Sequence, residues 1–249
     1  SLPAVDVGAL LETHMERITG SRPLGFSGIE YFQSAEPLVE KRFHVVVPKG
    51  LPFVWRAQQG DGVQLVRSSD RGFDVYSFYA ADSPAVVDEP SSPPLARTAA
   101  RVLFSAYRDW NEAARPFAEP YWAKVRNCPA VGAFTAELLA GAGTPEARLE
   151  RIFAFVTRQV RSVALSLHRS GYEPHDPDVV LANRYGDAKD KAILMGAMLL
   201  SAGFEAQPVF LNSQYLPIVE EVPALEQFDA IVLRVSIPGG NPIFLDPFG

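Results

Sequence analysis

The stretch that decides the fold is Asn183–Gly203, NRYGDAKDKAILMGAMLLSAG. From Lys189 to Ser201 the apolar residues Ile193, Leu194, Ala197, Met198 and Leu200 fall on most sides of a 3.6-residue repeat. That pattern marks a helix buried in the middle of a domain, and Gly203 supplies its end. The polar turn YGDA places the helix start at about Ala188. A side chain at such a start sits at the positive end of the helix dipole, where an anionic group is stabilised. An inert methyl stands there instead.

Working outward from this helix, AQPVFL (206–211), DAIVLRVSI (229–237) and PIFLD (242–246) are short, β-rich and separated by turn residues, which predicts a small antiparallel sheet after the central helix. Upstream, GTPEARLERIFAFVTRQVR predicts a helix with Thr144 as N-cap and Pro145 at the first helical position. Leu149, Ile152, Phe153, Val156 and Val160 share one face of it. The segment ARTAARVLFSAYRDWNEAARPFAEPYWAKV is helical in composition, with breaks expected at Pro116 and Pro120. Trp110, Trp122, Tyr107 and Tyr121 within it read as core or interface anchors.

Before residue 82 the signals change to strands. KRFHVVV (41–47) is β-branched and stopped by Pro48, GDG (60–62) is a turn, and FDVYSFY (73–79) follows the turn-like SSDRG. Antiparallel hairpins are the expectation. The opening GALLETHMERIT fits a helix and a half-exposed strand equally. Four prolines in DSPAVVDEPSSPP (82–94) forbid a regular element, so this segment reads as an extended connector. The expected organisation is an α+β chain: an antiparallel β-domain over 1–81, the connector over 82–94, and a domain over 95–249 with a central helix packed on an antiparallel sheet.

Bulk properties limit the functions to consider. The chain has 249 residues, is 47% hydrophobic and carries a formal charge of −6, which gives no footprint for nucleic-acid phosphates. Apolar runs such as AILMGAMLL are far shorter than the roughly 20 residues a bilayer requires. No basic-then-apolar leader opens the sequence at Ser1. Cys128 is the only cysteine, which excludes an internal disulfide and a thiolate metal cluster; in VRNCPAV it reads as a partly buried structural thiol. His14, His44, His168 and His175 lack metal-ligand spacing, so neither a metal nor a cofactor is implied.

The run GYEPHDPDVVLANRYGDAKDKAILMGAMLLSAGFEAQPVFL, followed by QFDAIVLRV and IFLDP, resembles the bacterial transglutaminase-like family of the papain-type cysteine enzyme superfamily. The family pattern is approximately GYxPHxxxxVLxNRxGDCKDKAxLLxxxLxxxGxxAxPVL, then FNHxIVxV, then LDPT. The likeness spans about residues 95 to 249. Upstream, FSGIEYFQSAEPLVEKRFHVVVPKGLPFVWR resembles the later part of an uncharacterised β-domain that precedes this domain in many secreted bacterial proteins. The resemblance implies that the β-domain is incomplete at its N-terminus and that the setting is periplasmic or secreted.

It also implies a catalytic centre, which this sequence lacks. The family's catalytic cysteine falls on Ala188, its histidine on Ala230, and its acidic residue on Asp246, which is retained. In such a unit the helix dipole and an imidazolium lower the thiol pKa, the histidine carries the proton, and the carboxylate fixes the histidine tautomer. Alanine performs neither of the first two roles. By the same resemblance Tyr172, His175, Asn183, Tyr185, Asp187 and Asp229 are candidates to line the cleft. For several residues around this centre a plainer reading stands beside the functional one. His175 serves equally as a capping or packing residue; Asp187 and Asp190 are acidic, as helix starts commonly are; Lys189 and Lys191 are expected to be solvated or paired with those carboxylates. Asp246, without its partner, must find backbone donors, water or exposure.

Three functional expectations follow. One is a pseudoenzyme that binds a peptide or protein segment without catalysis. The second is an engineered inactive form of a cysteine acyltransferase or protease with its triad at 188, 230 and 246, although the accompanying Asp229 in place of the family's asparagine is no part of a simple knockout. The third is a structural module of a longer envelope protein.

Overall fold

The computed structural model describes residues 8–9, 12–16, 26–87, 89–165, 172–237 and 240–249. Within GALLETHMERIT, residues 8–9 and 12–16 carry no helix or strand, and the remainder, like His168, lies outside the described residues.

Two antiparallel sheets face one another in the N-terminal part. In the first, β2 (Leu38–Pro48) pairs with β5 (Phe73–Ser83), Phe43 opposite Phe78, and β4 (Gln64–Asp70) lies on the other side of β5. The β4–β5 turn is Arg71–Gly72, both at positive φ (42° and 93°), the twist a tight two-residue hairpin demands. The second sheet has the order β1 (Ser27–Tyr31), β6 (Arg101–Ser105), β3 (Val54–Gln58). Phe32, Val45, Val47, Phe78 and Ala80 bury against Ala100 and Val102, with the rings of Phe26, Phe43, Phe53 and Trp55 closing the margin. Gly28 stands opposite Phe104. A Cβ there would lie 2.6 Å from the ring's Cζ, so only glycine lets the ring cross the strand.

Two expectations fail here. Residues 101–105 are not helical but form the central strand of the second sheet, with RVLFS buried at every position. A strand buried on both faces shows a continuous apolar run without alternation, which composition cannot separate from a helix. The expected hairpins are also rearranged. The Gly60–Gly62 turn carries the chain from β3 in one sheet to β4 in the other, and β2 pairs with β5 rather than with its neighbour. Residues 84–87 and 89–94 have no helix or strand, and α1 (Leu95–Thr98) is a single turn.

Helices then dominate. α2 (Trp110–Val125) starts at Asp109, whose side chain accepts from the Glu112 N–H at 2.8 Å, and runs through both prolines without a break. Pro116 is exposed and Pro120 half-buried, so their missing donors fall away from the inner face carried by Phe117, Tyr121 and Val125. α3 (Pro129–Leu138) follows. α4 (Pro145–Gln159) begins as predicted: Thr144 accepts from the Ala147 N–H at 3.2 Å and Pro145 opens the helix. Ile152, Phe155, Val156 and Val160 are buried, while Leu149 and Phe153 sit at the margin.

α5 (Pro177–Asn183) ends at Arg184, in the left-handed region at φ 57°. A short parallel pair joins β7 (Arg161–Ser162) to β8 (Tyr185–Gly186). α6 (Ala188–Ser201) is buried without interruption from Lys189 to Leu199 and packs against α2, α3, α4, α5, β9 (Glu205–Leu211) and β10 (Ala230–Ser236). The last sheet is antiparallel with β10 between β9 and β11 (Ile243–Leu245). Ile231, Leu233, Val235 and Leu245 enter the same core as Ile193, Leu194, Met195 and Met198 of α6. The chain is thus α+β, with a central helix on an antiparallel sheet behind N-terminal sheets.

The two parts meet at a seam formed by residues 219–227, which include a 3-10 turn, Leu225–Gln227. Leu103, Val222 and Ala224 bury one another, and the Ser105 hydroxyl donates to the Pro223 carbonyl at 2.8 Å. The Trp110 indole N–H donates to the Glu220 carbonyl at 2.9 Å.

Candidate functional site

The start of α6 is held by a closed set of hydrogen bonds. Asp187 is the N-cap: its Oδ1 accepts from the Asp190 N–H at 3.1 Å, and Asp190 Oδ2 accepts in return from the Asp187 N–H at 3.3 Å. This reciprocal pair satisfies two of the four orphan donors of the first turn. Both carboxylates are buried. The Lys189 ammonium bonds the Asp187 carboxylate in a buried ion pair. His175 reaches the same cap: its backbone N–H donates to Asp190 Oδ1 at 2.9 Å and its Nδ1 lies 3.0 Å from Oδ2, while the ring is mostly exposed. Gly186 makes room, since a Cβ there would stand 2.6 Å from the Asp190 Cβ.

Ala188 is the first residue of α6, half-buried and packed against the main core. Asn183 is exposed at the end of α5, and Tyr185 is exposed with the Arg161 guanidinium 5.7 Å above its ring. Arg184, between them, lays its guanidinium over Phe155 at 4.6 Å and Phe134 at 4.9 Å. Of the expected cleft residues, Asp187 and His175 therefore converge on the helix start, whereas Tyr185 contacts Arg161 and Asn183 is exposed.

Lys191 corrects an expectation. It is neither solvated nor paired with Asp187 or Asp190; it is fully buried, and its ammonium donates to the Ser162 hydroxyl at 2.8 Å and lies 5.5 Å from the Phe248 ring. It stands one turn of helix along from Ala188 and reaches Ser162 of β7 and Phe248 of the C-terminal segment. Burial pushes its pKa down, opposed by the charge of Asp246.

Ala230 is the first residue of β10, half-buried. Strand alternation turns it away from Ile231, Leu233 and Val235 in the core and onto the side of Val232. Asp246 directly follows Leu245, the last residue of β11 and the partner of Leu233. Its Oδ1 accepts from the Phe248 N–H at 2.8 Å, the backbone donor expected of a carboxylate without a histidine. Asp229 is fully engaged: Oδ1 accepts from the Ser213 N–H at 2.6 Å and Oδ2 from the Ser213 hydroxyl at 2.8 Å.

Sequence reasoning missed a row of half-buried rings beside the start of β10. Tyr172 lies 6.4 Å from Phe210, Phe210 6.3 Å from Phe228, and Phe228 5.7 Å from Trp110. These residues come from four separate segments, so no spacing could have joined them. Cys128 is half-buried, its thiol donating to the Val125 carbonyl at 3.0 Å; burial, and then the charge of Asp178, push its pKa up. No group of three metal-ligating side chains is gathered among the described residues.

Residues 132–215 match the sequence model of the transglutaminase-like superfamily. They form a transglutaminase-like domain segment. The match includes the helix start at Ala188 and ends before Ala230 and Asp246. No curated protein matches the sequence. Among solved structures, a candidate protease from Parabacteroides distasonis ATCC 8503 superposes at a TM-score of 0.77 with 19% identity, over 91% of this chain and 43% of that one. At that identity the likeness establishes the fold, and the chain spans less than half of the relative's length. The periplasmic domain of TgpA from Pseudomonas aeruginosa, bound to ethylmercury, aligns at a TM-score of 0.36 with 15% identity, over 90% of this chain and 76% of that one, too weak a similarity to inform this protein.

Proposed function

We propose that this chain is a catalytically silent transglutaminase-like scaffold that binds a peptide or protein segment beside α6 and β10. One observation carries the reading: the start of α6 is fully capped, from the Asp187–Asp190 pair to its His175 contact, and at the position where the resembled family has its cysteine stands the methyl of Ala188. A thiolate cannot form there, and Ala230 accepts no proton. The half-buried aromatic row from Tyr172 to Trp110 gives such a scaffold the kind of surface on which peptide side chains settle. A periplasmic or secreted setting belongs to the same proposal and rests on the secreted proteins the sequence resembles; among the described residues no helix is long and apolar enough to cross a membrane.

A second reading, an inactivated cysteine acyltransferase or protease, is favoured by the undisturbed cap around Ala188. Asp229 weighs against it. Both of its oxygens accept hydrogen bonds from Ser213, so the residue that differs from the resembled family's asparagine is engaged locally, and it is a further change that a simple knockout does not need.

The test is the double variant Ala188→Cys, Ala230→His, made alongside Cys128→Ser. For a silent scaffold, the parent shows no acyl transfer or peptide hydrolysis, and a fluorescent peptide library yields binders whose affinity falls at least tenfold in Tyr172→Ala or Phe228→Ala. Turnover by the unmodified chain would overturn the proposal, as would peptide binding indifferent to both aromatic substitutions. A double variant that turns over glutamine or peptide substrates favours the inactivated-enzyme reading.

A further inference from the structure

The seam between the two parts holds a buried cation with no ion-pair partner among the described residues. Arg101, the first residue of the second sheet's central strand, is 6% exposed. Its Nε and Nη2 donate to Gln58 Oε1 at 3.1 and 2.5 Å, and Nη1 donates to the Tyr31 hydroxyl at 3.5 Å. No carboxylate forms an ion pair with it among the described residues. A guanidinium has five N–H donors, so Nη1 and Nη2 each keep one uncommitted N–H, the pair that grips a carboxylate in fork geometry. Burying such a charge without a partner is costly, and a fold retains it where something else supplies the anion.

Space for that anion is present. Arg101 lines a cavity of about 220 Å³ together with Tyr31, Asn212, Gln214, Glu226 and Asp229. It also lines an adjoining one of about 350 Å³ with Gln58, Arg97 and Leu216. The cavity wall carries the opposite charge too. Glu226 Oε2 accepts from the Ser27 hydroxyl at 2.7 Å, while Oε1 accepts no hydrogen bond among the described residues. Asp229 has both oxygens on Ser213. One small chamber therefore offers a free guanidinium fork and a free carboxylate oxygen.

We infer that this cavity binds a zwitterion of amino-acid or dipeptide size, its carboxylate on Arg101 and its ammonium on Glu226. A phosphate dianion meets the same fork but brings no ammonium and faces two carboxylates, so it is disfavoured. Phe228 of the aromatic row borders the same cavity, but the inference rests on Arg101 and Glu226, whose substitution leaves Tyr172 and the helix start untouched, so its failure is distinguishable from failure of the scaffold reading.

Isothermal titration of the full chain with alanylalanine tests it, against the same dipeptide as its C-terminal amide, as its N-acetyl derivative, and against inorganic phosphate. The dipeptide binds with millimolar affinity or better; the amide and the N-acetyl form each bind at least tenfold more weakly. Arg101→Met abolishes binding, Arg101→Lys retains part of it, and Glu226→Gln weakens the dipeptide while leaving the N-acetyl form unchanged. Leu216→Trp, which fills both chambers from a half-buried position, also abolishes binding and decides the matter if Arg101→Met fails to fold. No heat from the dipeptide up to about 10 mM overturns the inference, taking the millimolar range as the weakest affinity of a built site. So does equal binding of the amide, or displacement of the dipeptide by phosphate.

Discussion

Replacing Gly196 with alanine should destabilise the protein, although the same change in most helices does the reverse. Gly196 lies in the middle of α6, where alanine is ordinarily favoured by about 1 kcal/mol. Here a Cβ would overlap the Tyr121 hydroxyl and stand 3.3 Å from its Cζ. Tyr121 is fully buried on α2, its hydroxyl has no hydrogen-bond partner, and burial pushes its pKa up. Ring and helix are both buried, so overpacking at the upper end of the usual range of about 1 to 3 kcal/mol outweighs the propensity gain and leaves Gly196→Ala about 2 kcal/mol less stable. Tyr121→Phe removes both the clash and an unsatisfied polar atom, so that variant alone should be more stable by about 1 kcal/mol. In the Tyr121→Phe background the nearest ring atom is a tight but tolerable neighbour, and the alanine recovers most of its helical preference. The four-protein cycle, measured by urea unfolding, should therefore show a coupling of roughly 2 kcal/mol or more. An additive cycle, or a Gly196→Ala protein as stable as its parent, would refute the close approach of α2 and α6.

Lys191 makes a pH-dependent contribution. Its folded-state pKa lies below its unfolded value, so between the two the unfolded chain binds more protons and stability rises with pH, while below the folded pKa the full burial cost is present. Lys191→Met should raise the urea midpoint at pH 7 and lose that advantage as pH approaches 10; an advantage that grew with pH would contradict the burial of the ammonium. At Cys128 the raised thiol pKa leaves less thiolate near neutrality. Iodoacetamide at pH 8 should modify the folded chain several-fold more slowly than the urea-unfolded chain, and equal rates would show the thiol to be free.

The parts of the fold legible in the sequence are those set by local chemistry. Thr144–Pro145 marks a helix start because a hydroxyl acceptor and a fixed φ act within one turn, and α6 is readable because its apolar residues surround the axis. Residues 101–105 read as helix because nothing local distinguishes a buried central strand from a helix turn; the partners Gly28–Tyr31 and Val54–Gln58 decide it from far away. Pro116 and Pro120 read as breaks because their effect depends on which face they occupy, a property of the packed helix. At the site, the cap residues are legible by spacing. The burial of Lys191 against Ser162 and the isolation of Arg101 at the seam are not, since each depends on a residue remote in the chain.

Why the sequence keeps so elaborate a mount for a methyl group now has a physical answer. α6 is buried along nearly its whole length, so its first-turn N–H groups have no water to bond and must be capped from within. Asp187 and Asp190 do this, Lys189 neutralises one of them, Gly186 lets the chain pass the second, and His175 lends it another donor. Every one of these residues serves the folding of the helix whether or not a nucleophile follows Asp187. Position 188 is different: a half-buried first residue needs only helix propensity and modest size, and alanine has both. The identity of a small residue at 188 is therefore of little consequence for stability, while loss of any cap residue strands a buried donor or charge at a cost of about 1 to 3 kcal/mol or more. The cap residues therefore have a folding role that holds whichever residue stands at 188.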